Sequence, residues 1–96
     1  MNIDELSVYH VAMPLIDPWI TSYGADYEIH SILLHSKSGN NEAWAETCGL
    51  ELPTYSYESA NSIYYNITEI FAKSIVGKNY ETSEDINNEL SVYKGN

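Results

Sequence analysis

The residues between Ile16 and Asp26 are the first place where the sequence offers chemistry. Pro18, Trp19, Thr21, Ser22, Tyr23 and Gly24 form an unusually aromatic, turn-prone stretch without a clear period, and connections of this size in compact domains often serve as lids or binding loops. A tryptophan beside a tyrosine in such a loop has something to cover. The groups needed for acid, base, metal or nucleophilic chemistry are instead scattered. His10, His30 and His35 fall on expected strands, and His30 and His35 point to opposite faces, so a shared metal is not expected. Cys48 has no basic neighbour to favour a thiolate and reads as a buried small hydrophobe. Glu81, Glu84, Asp85 and Glu89 read as a solvated helix face. Asn66-Ile67-Thr68 matches the glycosylation acceptor pattern by chance, on an expected helix.

The elements that must position this loop fit in one domain. A chain of 96 residues has room for one core and buries roughly 60 to 65% of its extended surface on folding. Hydrophobic residues make up 44% and charged residues 19%, a globular composition. Fourteen acidic side chains against four lysines, with no arginine, give a formal net charge of -10. That charge repels phosphate backbones and anionic headgroups, which excludes nucleic acid and membrane surfaces as expected partners. Cys48 is the only cysteine, and the N-terminus carries no basic segment followed by an apolar run, so a reducing cytoplasm is expected. No apolar stretch approaches the roughly 20 residues that span a bilayer.

Three extended segments come first. From Ile3 to Met13, ending at Pro14, one phase holds Ile3, Tyr9, Val11 and Met13 and the other Leu6, Val8 and Ala12. From Tyr27 to Ser36, Tyr27, Ile29, Leu33 and His35 share one phase, with Ile32 and Leu34 on the other. Apolar residues on both faces predict a sheet covered twice. Ser38-Gly39-Asn40-Asn41 reads as a tight hairpin turn before the third strand, Glu42 to Gly49. After Pro53 the period becomes helical, with Ile63, Ile67, Ile70, Phe71 and Ile75 on one stripe, Ser56 or Ser59 as cap and Gly77 as stop. A shorter helix follows, with Ser83 as N-cap, Ile86, Leu90 and Tyr93 on one face and Lys94-Gly95 as its end. The expected fold is α+β: a three-stranded antiparallel meander followed by two helices packed on one face.

Three ordered stretches resemble one family. Met13-Pro14-Leu15 with Pro18-Trp19-Ile20-Thr21-Ser22-Tyr23-Gly24, then Ala43-Trp44-Ala45-Glu46, then Glu51-Leu52-Pro53-Thr54-Tyr55 are similar to the N-terminal capping domain of o-succinylbenzoate synthases and N-acylamino acid racemases, muconate lactonizing enzyme-like members of the enolase superfamily. The resemblance covers essentially residues 1–96 as one capping domain. It departs from the family where Ala43 and Ala45 replace glycines and where Trp19 stands at a common phenylalanine. It implies an enzyme that removes a proton next to a carboxylate, with paired lysines as acid and base and magnesium or another divalent metal to stabilise the enediolate. Those groups belong to a C-terminal barrel. Lys37, Lys73, Lys78 and Lys94 match none of them, so no catalytic residue, metal ligand or cofactor is assigned to this chain.

By position, the resemblance places Trp19, Thr21, Ser22 and Tyr23 on a first capping loop and Leu50 and Tyr55 on a second, closing over a small carboxylate substrate at the barrel mouth. The expected partners are that barrel and, for the isolated domain, a second copy. The competing reading is a free-standing acidic module that oligomerises or masks a basic surface. A capping domain should show a contiguous apolar patch on its second sheet face, and a mimic of a polyanion should show a regular row of carboxylates.

Overall fold

Alternating apolar side chains and two short turns fold the first half of the chain into one antiparallel sheet. The computed structural model describes residues 1–22, 24–54 and 56–94. Strands β1 (Glu5–Thr21), β2 (Gly24–Ser38) and β3 (Asn41–Cys48) lie in the order β1-β2-β3. Ser38 pairs with Asn41 across the turn, where Gly39 holds φ at +60°. Glycine populates that region without the clash a Cβ brings.

Two expectations about the first strand are corrected. Ile3 precedes β1 and does not share the face of Tyr9: it is buried, with its N–H donating to the Lys78 carbonyl at 3.0 Å and its carbonyl accepting from Gly77 at 2.6 Å. The strand also does not end at Pro14. β1 continues through Pro18 to Thr21, with a register shift between Pro14 and Trp19. Because β1 is an edge strand, a proline that lacks an N–H can sit in it without removing a ladder bond. The residues described between Ile16 and Asp26, Tyr23 not among them, are therefore the bulged end of a long hairpin.

The long helix comes in three parts: α1 (Ala60–Tyr65), a π-helical segment (Asn66–Phe71) and α2 (Ala72–Ile75). Of the two candidate caps, Ser59 is the one used. Its hydroxyl accepts from the Ser62 N–H at 3.3 Å, and the Ser62 hydroxyl accepts from the Ser59 N–H at 3.0 Å. Helix α3 (Ser83–Leu90) starts one residue earlier than expected, from Thr82, not Ser83. The reason is reciprocity: Thr82 has Asp85 three residues on to return the bond, whereas Ser83 has Ile86. This helix ends at Leu90, before Lys94, and Gly95 lies outside the described residues. Tyr93 packs its ring 5.6 Å from Phe71. Of the acidic residues here, Glu81, Glu84 and Asp85 are exposed; Asp85 also caps α3, and Glu89 accepts from Lys78 and from the Tyr80 hydroxyl.

Helix α1 packs across β1 and β2, and the core is Ile32, Ala60 and Ile63, with Val8 and Ile67 against it. Among the described residues the other sheet face is uncovered, the arrangement expected of a meander whose helices pack on one face. Register places Tyr9, Val11 and Met13 of β1, Leu33 and Ile29 of β2 and Trp44 of β3 on it. The Tyr9 and Trp44 rings stack at 6.2 Å, and His35 stacks on Trp44 at 4.3 Å. Cys48 belongs to the same face and is exposed, not buried, with Sγ 3.1 Å from the Ser31 hydroxyl. Among the described residues, no helix is long and apolar enough to cross a membrane.

Candidate functional site

The end of the sheet away from the Gly39 turn carries the β1–β2 hairpin tip and the segment that leaves β3. The tip is held by three pairs, Trp19 with Asp26, Ile20 with Ala25 and Thr21 with Gly24. Gly24 turns the chain at φ +133°, and the Thr21 hydroxyl donates to its carbonyl at 3.4 Å. Below the tip, Leu15, Ile16, Asp17 and Pro18 stand opposite Tyr27 alone, a large bulge that re-aims the strand.

The second segment is set by a close approach. A Cβ on Gly49 would lie 2.9 Å from Ile63 Cδ1 and 3.2 Å from the Ala60 nitrogen, so only glycine lets the backbone lie this close to the start of α1. Leu50 then bridges to Ser59, and its carbonyl accepts the Ala60 N–H at 2.9 Å. Leu50 is thereby fixed to the helix start.

Hairpin tip and second segment together line a cleft of about 520 Å³, with Trp19, Thr21, Gly24, Ala25 and Asp26 on one side and Leu50, Glu51, Leu52 and Thr54 on the other. Its size lies in the range of small-molecule sites. A second cleft of about 320 Å³ adjoins it, sharing Trp19, Asp26, Leu50 and Glu51 and adding Glu28 and His30. The His30 imidazole lies 3.7 Å from a Glu28 oxygen and 4.0 Å from a Glu51 oxygen, while its Nδ1 is 2.9 Å from His10 Nε2. No lysine lines either cleft among the described residues. Lys37 pairs in register with Glu5 and Glu42 toward the opposite end of the sheet, and Lys73 and Lys78 pair with Glu69 and Glu89.

Comparison with known proteins supplies the frame for this geometry. No family model matches the chain. It is 22% identical to o-succinylbenzoate synthase from Bacillus subtilis, over the whole of this chain and 26% of that enzyme. A solved member of the enolase superfamily from Enterococcus faecalis V583 is 25% identical and superposes with a TM-score of 0.86, over 99% of this chain and 26% of that one. The L-Ala-D/L-Glu epimerase from Bacillus subtilis superposes with a TM-score of 0.82 at 21% identity, over 99% of this chain and 26% of that one. The fold is that of an enolase-superfamily N-terminal domain. The resemblance read from the three sequence motifs is borne out along the whole chain, which spans about a quarter of the length of these relatives.

Within this enolase-superfamily fold, the two segments named from the sequence meet: Trp19, Thr21 and Leu50 line the same cleft. Ser22 is exposed at the turn and does not line it. Tyr23 and Tyr55 lie outside the described residues. Sequence reasoning passes over Asp26, although it is the direct hairpin partner of Trp19; the register pairs them once the strand is followed through its prolines. Glu51 falls within a motif that gives it no role. The side-by-side placement of His10 and His30 is also hidden in the sequence, because the residue aligned with His30 across the ladder is Ala12 and the two imidazoles meet diagonally. Among the described residues, no three His, Cys, Asp or Glu side chains converge as metal ligands.

Proposed function

We propose that this chain is the substrate-capping and specificity domain of a divalent-metal-dependent, cytoplasmic enolase-superfamily enzyme of the o-succinylbenzoate synthase or N-acylamino acid racemase type. The observation that carries the reading is the convergence of two separate segments, around Trp19 and around Leu50, on one open cleft at one end of the sheet. A half-open cleft with an apolar and aromatic wall is suited to be closed by a second domain. The magnesium, the acid and base lysines and the bound carboxylate group of the substrate then belong to a C-terminal barrel, and the chain on its own is catalytically inactive. Trp19, Thr21 and Leu50, with Ser22, Tyr23 and Tyr55 from the resemblance alone, exclude water and wall the part of the substrate farthest from the reacting carbon. The reaction class is proton removal next to a carboxylate, whether it ends in dehydration of the menaquinone precursor or in racemisation.

The uncovered sheet face supports this reading over an acidic mimic. It carries tyrosine, tryptophan and aliphatic side chains, and its carboxylates are Glu5 and Glu42, both aligned with Lys37, and Glu46, rather than the evenly spaced row that a mimic of a polyanion needs. The test is Trp19→Ala in the protein that joins this domain to its barrel. We expect a KM raised by about tenfold or a changed order of substrate preference, with metal affinity intact. Unchanged kinetics over several acyl substrates, or lost metal affinity, contradicts the assignment.

A further inference from the structure

His30 is a largely buried imidazole at the junction of the two segments that line the cleft, its side chain only 14% exposed. Both of its ring nitrogens have neighbours. Nδ1 lies 2.9 Å from Nε2 of His10 on β1, while Nε2 lies 3.7 Å from a Glu28 oxygen and 4.0 Å from a Glu51 oxygen. The carboxylates fix the tautomer. A bare lone pair on Nε2 would face two negative oxygens, so that nitrogen carries the proton and Nδ1 accepts a hydrogen bond from the His10 Nε2–H. Both carboxylates stand within ion-pair range but beyond hydrogen-bond length.

One added proton changes this contact without breaking the pair. His10 is exposed and can take a proton from solvent on Nδ1, while its Nε2 proton passes along the existing hydrogen bond to His30 Nδ1. The bond then runs from His30 to His10, and the positive charge sits on the less exposed ring, facing Glu28 and Glu51. Glu28 shares a strand with His30, so attraction there moves nothing. Glu51 lies on the other segment: the Ala60 N–H pins Leu50, and beyond it residues 51–54 are a run of bends that a charge pair at Glu51 can hold. Asp26 and Cys48 line the same compartment, and the Tyr64 ring of α1 lies 6.3 Å from that of His10. Asp26 adds to the attraction, whereas a protonated thiol or phenol adds no charge.

We propose that His30 is a positioning residue for the second cleft wall: charged by a proton relayed through His10, it latches Glu51 and orders the segment that carries it. The consequence for turnover rests on the reading of the chain as a capping domain, and the latch itself does not.

The latch is read in the 96-residue chain by amide nitrogen relaxation at about pH 6 and about pH 7.5, within the range where imidazoles change charge. We expect the amplitude of fast motion at the Glu51 and Leu52 amides to fall by about half at the lower pH. His30→Gln and Glu51→Gln should abolish that dependence. Glu51 is 71% exposed, so its replacement reads the latch even where the His30 variant unfolds. His10→Leu should weaken the dependence and His10→Gln, which keeps a donor and an acceptor, should restore it, while Glu28→Gln and His35→Gln should leave it in place. In the metal-loaded protein joined to its barrel, the ratio of KM for His30→Gln to KM for the parent should be about threefold larger at about pH 6 than at about pH 7.5, with a smaller change in kcat. Taking the ratio cancels the titration of groups common to both proteins. Amides equally mobile at both pH values, or a pH dependence that Glu51→Gln leaves intact, overturns the inference. Ordering that Glu51→Gln abolishes, with a KM ratio that does not move with pH, supports the latch and counts against the capping reading.

Discussion

Gly49 is the residue on which the placement of the second cleft wall depends. Its missing side chain, not an unusual φ, is what the structure uses, because a Cβ would lie 2.9 Å from Ile63 Cδ1 and 3.1 Å from the Ser59 carbonyl carbon. Ile63 is a core side chain and cannot give way freely. Gly49→Ala should therefore destabilise the chain by about 1–3 kcal/mol, the range for overpacking a filled site, measured by urea unfolding. It should also displace Leu50 and Glu51, so that in the protein joined to its barrel KM rises. A variant as stable as the parent would show that the segment can shift away from α1 and that the second wall is not fixed by close packing. This role was not legible in the sequence, where Gly49 reads only as the end of a strand. Close approach is a property of two segments, and Ile63 is far along the chain. Trp19 was legible because it sits in a motif and Leu50 because it directly precedes one, and Asp26 was not because its importance comes from the partner across the ladder.

Capping decides where the long helix begins, and two serines compete for that role in the sequence. Ser59 makes the reciprocal pair with Ser62, whereas Ser56 only accepts from the Glu58 N–H at 3.3 Å. Ser59→Ala should cost about 1 kcal/mol, seen as a lower midpoint in thermal unfolding, and Ser56→Ala should leave the midpoint in place. The reverse order would put the helix start before Ala60 and loosen the bond from the Ala60 N–H to Leu50. Most of this element level was readable: three strands, a tight second turn and two helices follow from period and turn chemistry. Three things were not. The bulge opposite Tyr27 hid the ladder behind Pro14 and Pro18, and a rule that prolines stop strands fails on an edge. The π-helical turn at Asn66–Phe71 has no counterpart in side-chain period, since its stripe of isoleucines reads the same in an α-helix. The start of α3 moved from Ser83 to Thr82 because a capping box depends on the residue three positions on.

At the scale of the whole molecule, two opposing forces act on the uncovered face. Tyr9 is 46% exposed, Met13 45% and Trp44 61%, and they share this face with Val11, Leu33 and Ile29, so apolar surface lies open to solvent over much of the sheet. Against self-association stands the net charge of -10, which pushes copies apart at low ionic strength. Salt separates these forces. Raising ionic strength from about 0.01 M to about 1 M shortens the screening length from about 30 Å to about 3 Å, while apolar attraction does not weaken. The chain without a barrel should therefore be monomeric in dilute buffer and should associate as salt is added, the reverse of an assembly held by ion pairs. Sedimentation velocity across that range reads this directly. Tyr9→Ser combined with Trp44→Ser should suppress the association without unfolding the chain, since both rings are largely outside the core of Ile32, Ala60 and Ile63. A chain that stays monomeric at high salt would mean that the stacked Tyr9, Trp44 and His35 rings satisfy the face by themselves. Association that survives the double substitution would place the contact on the unpaired edges of β1 and β3 instead, where backbone N–H and C=O groups can pair with a second copy.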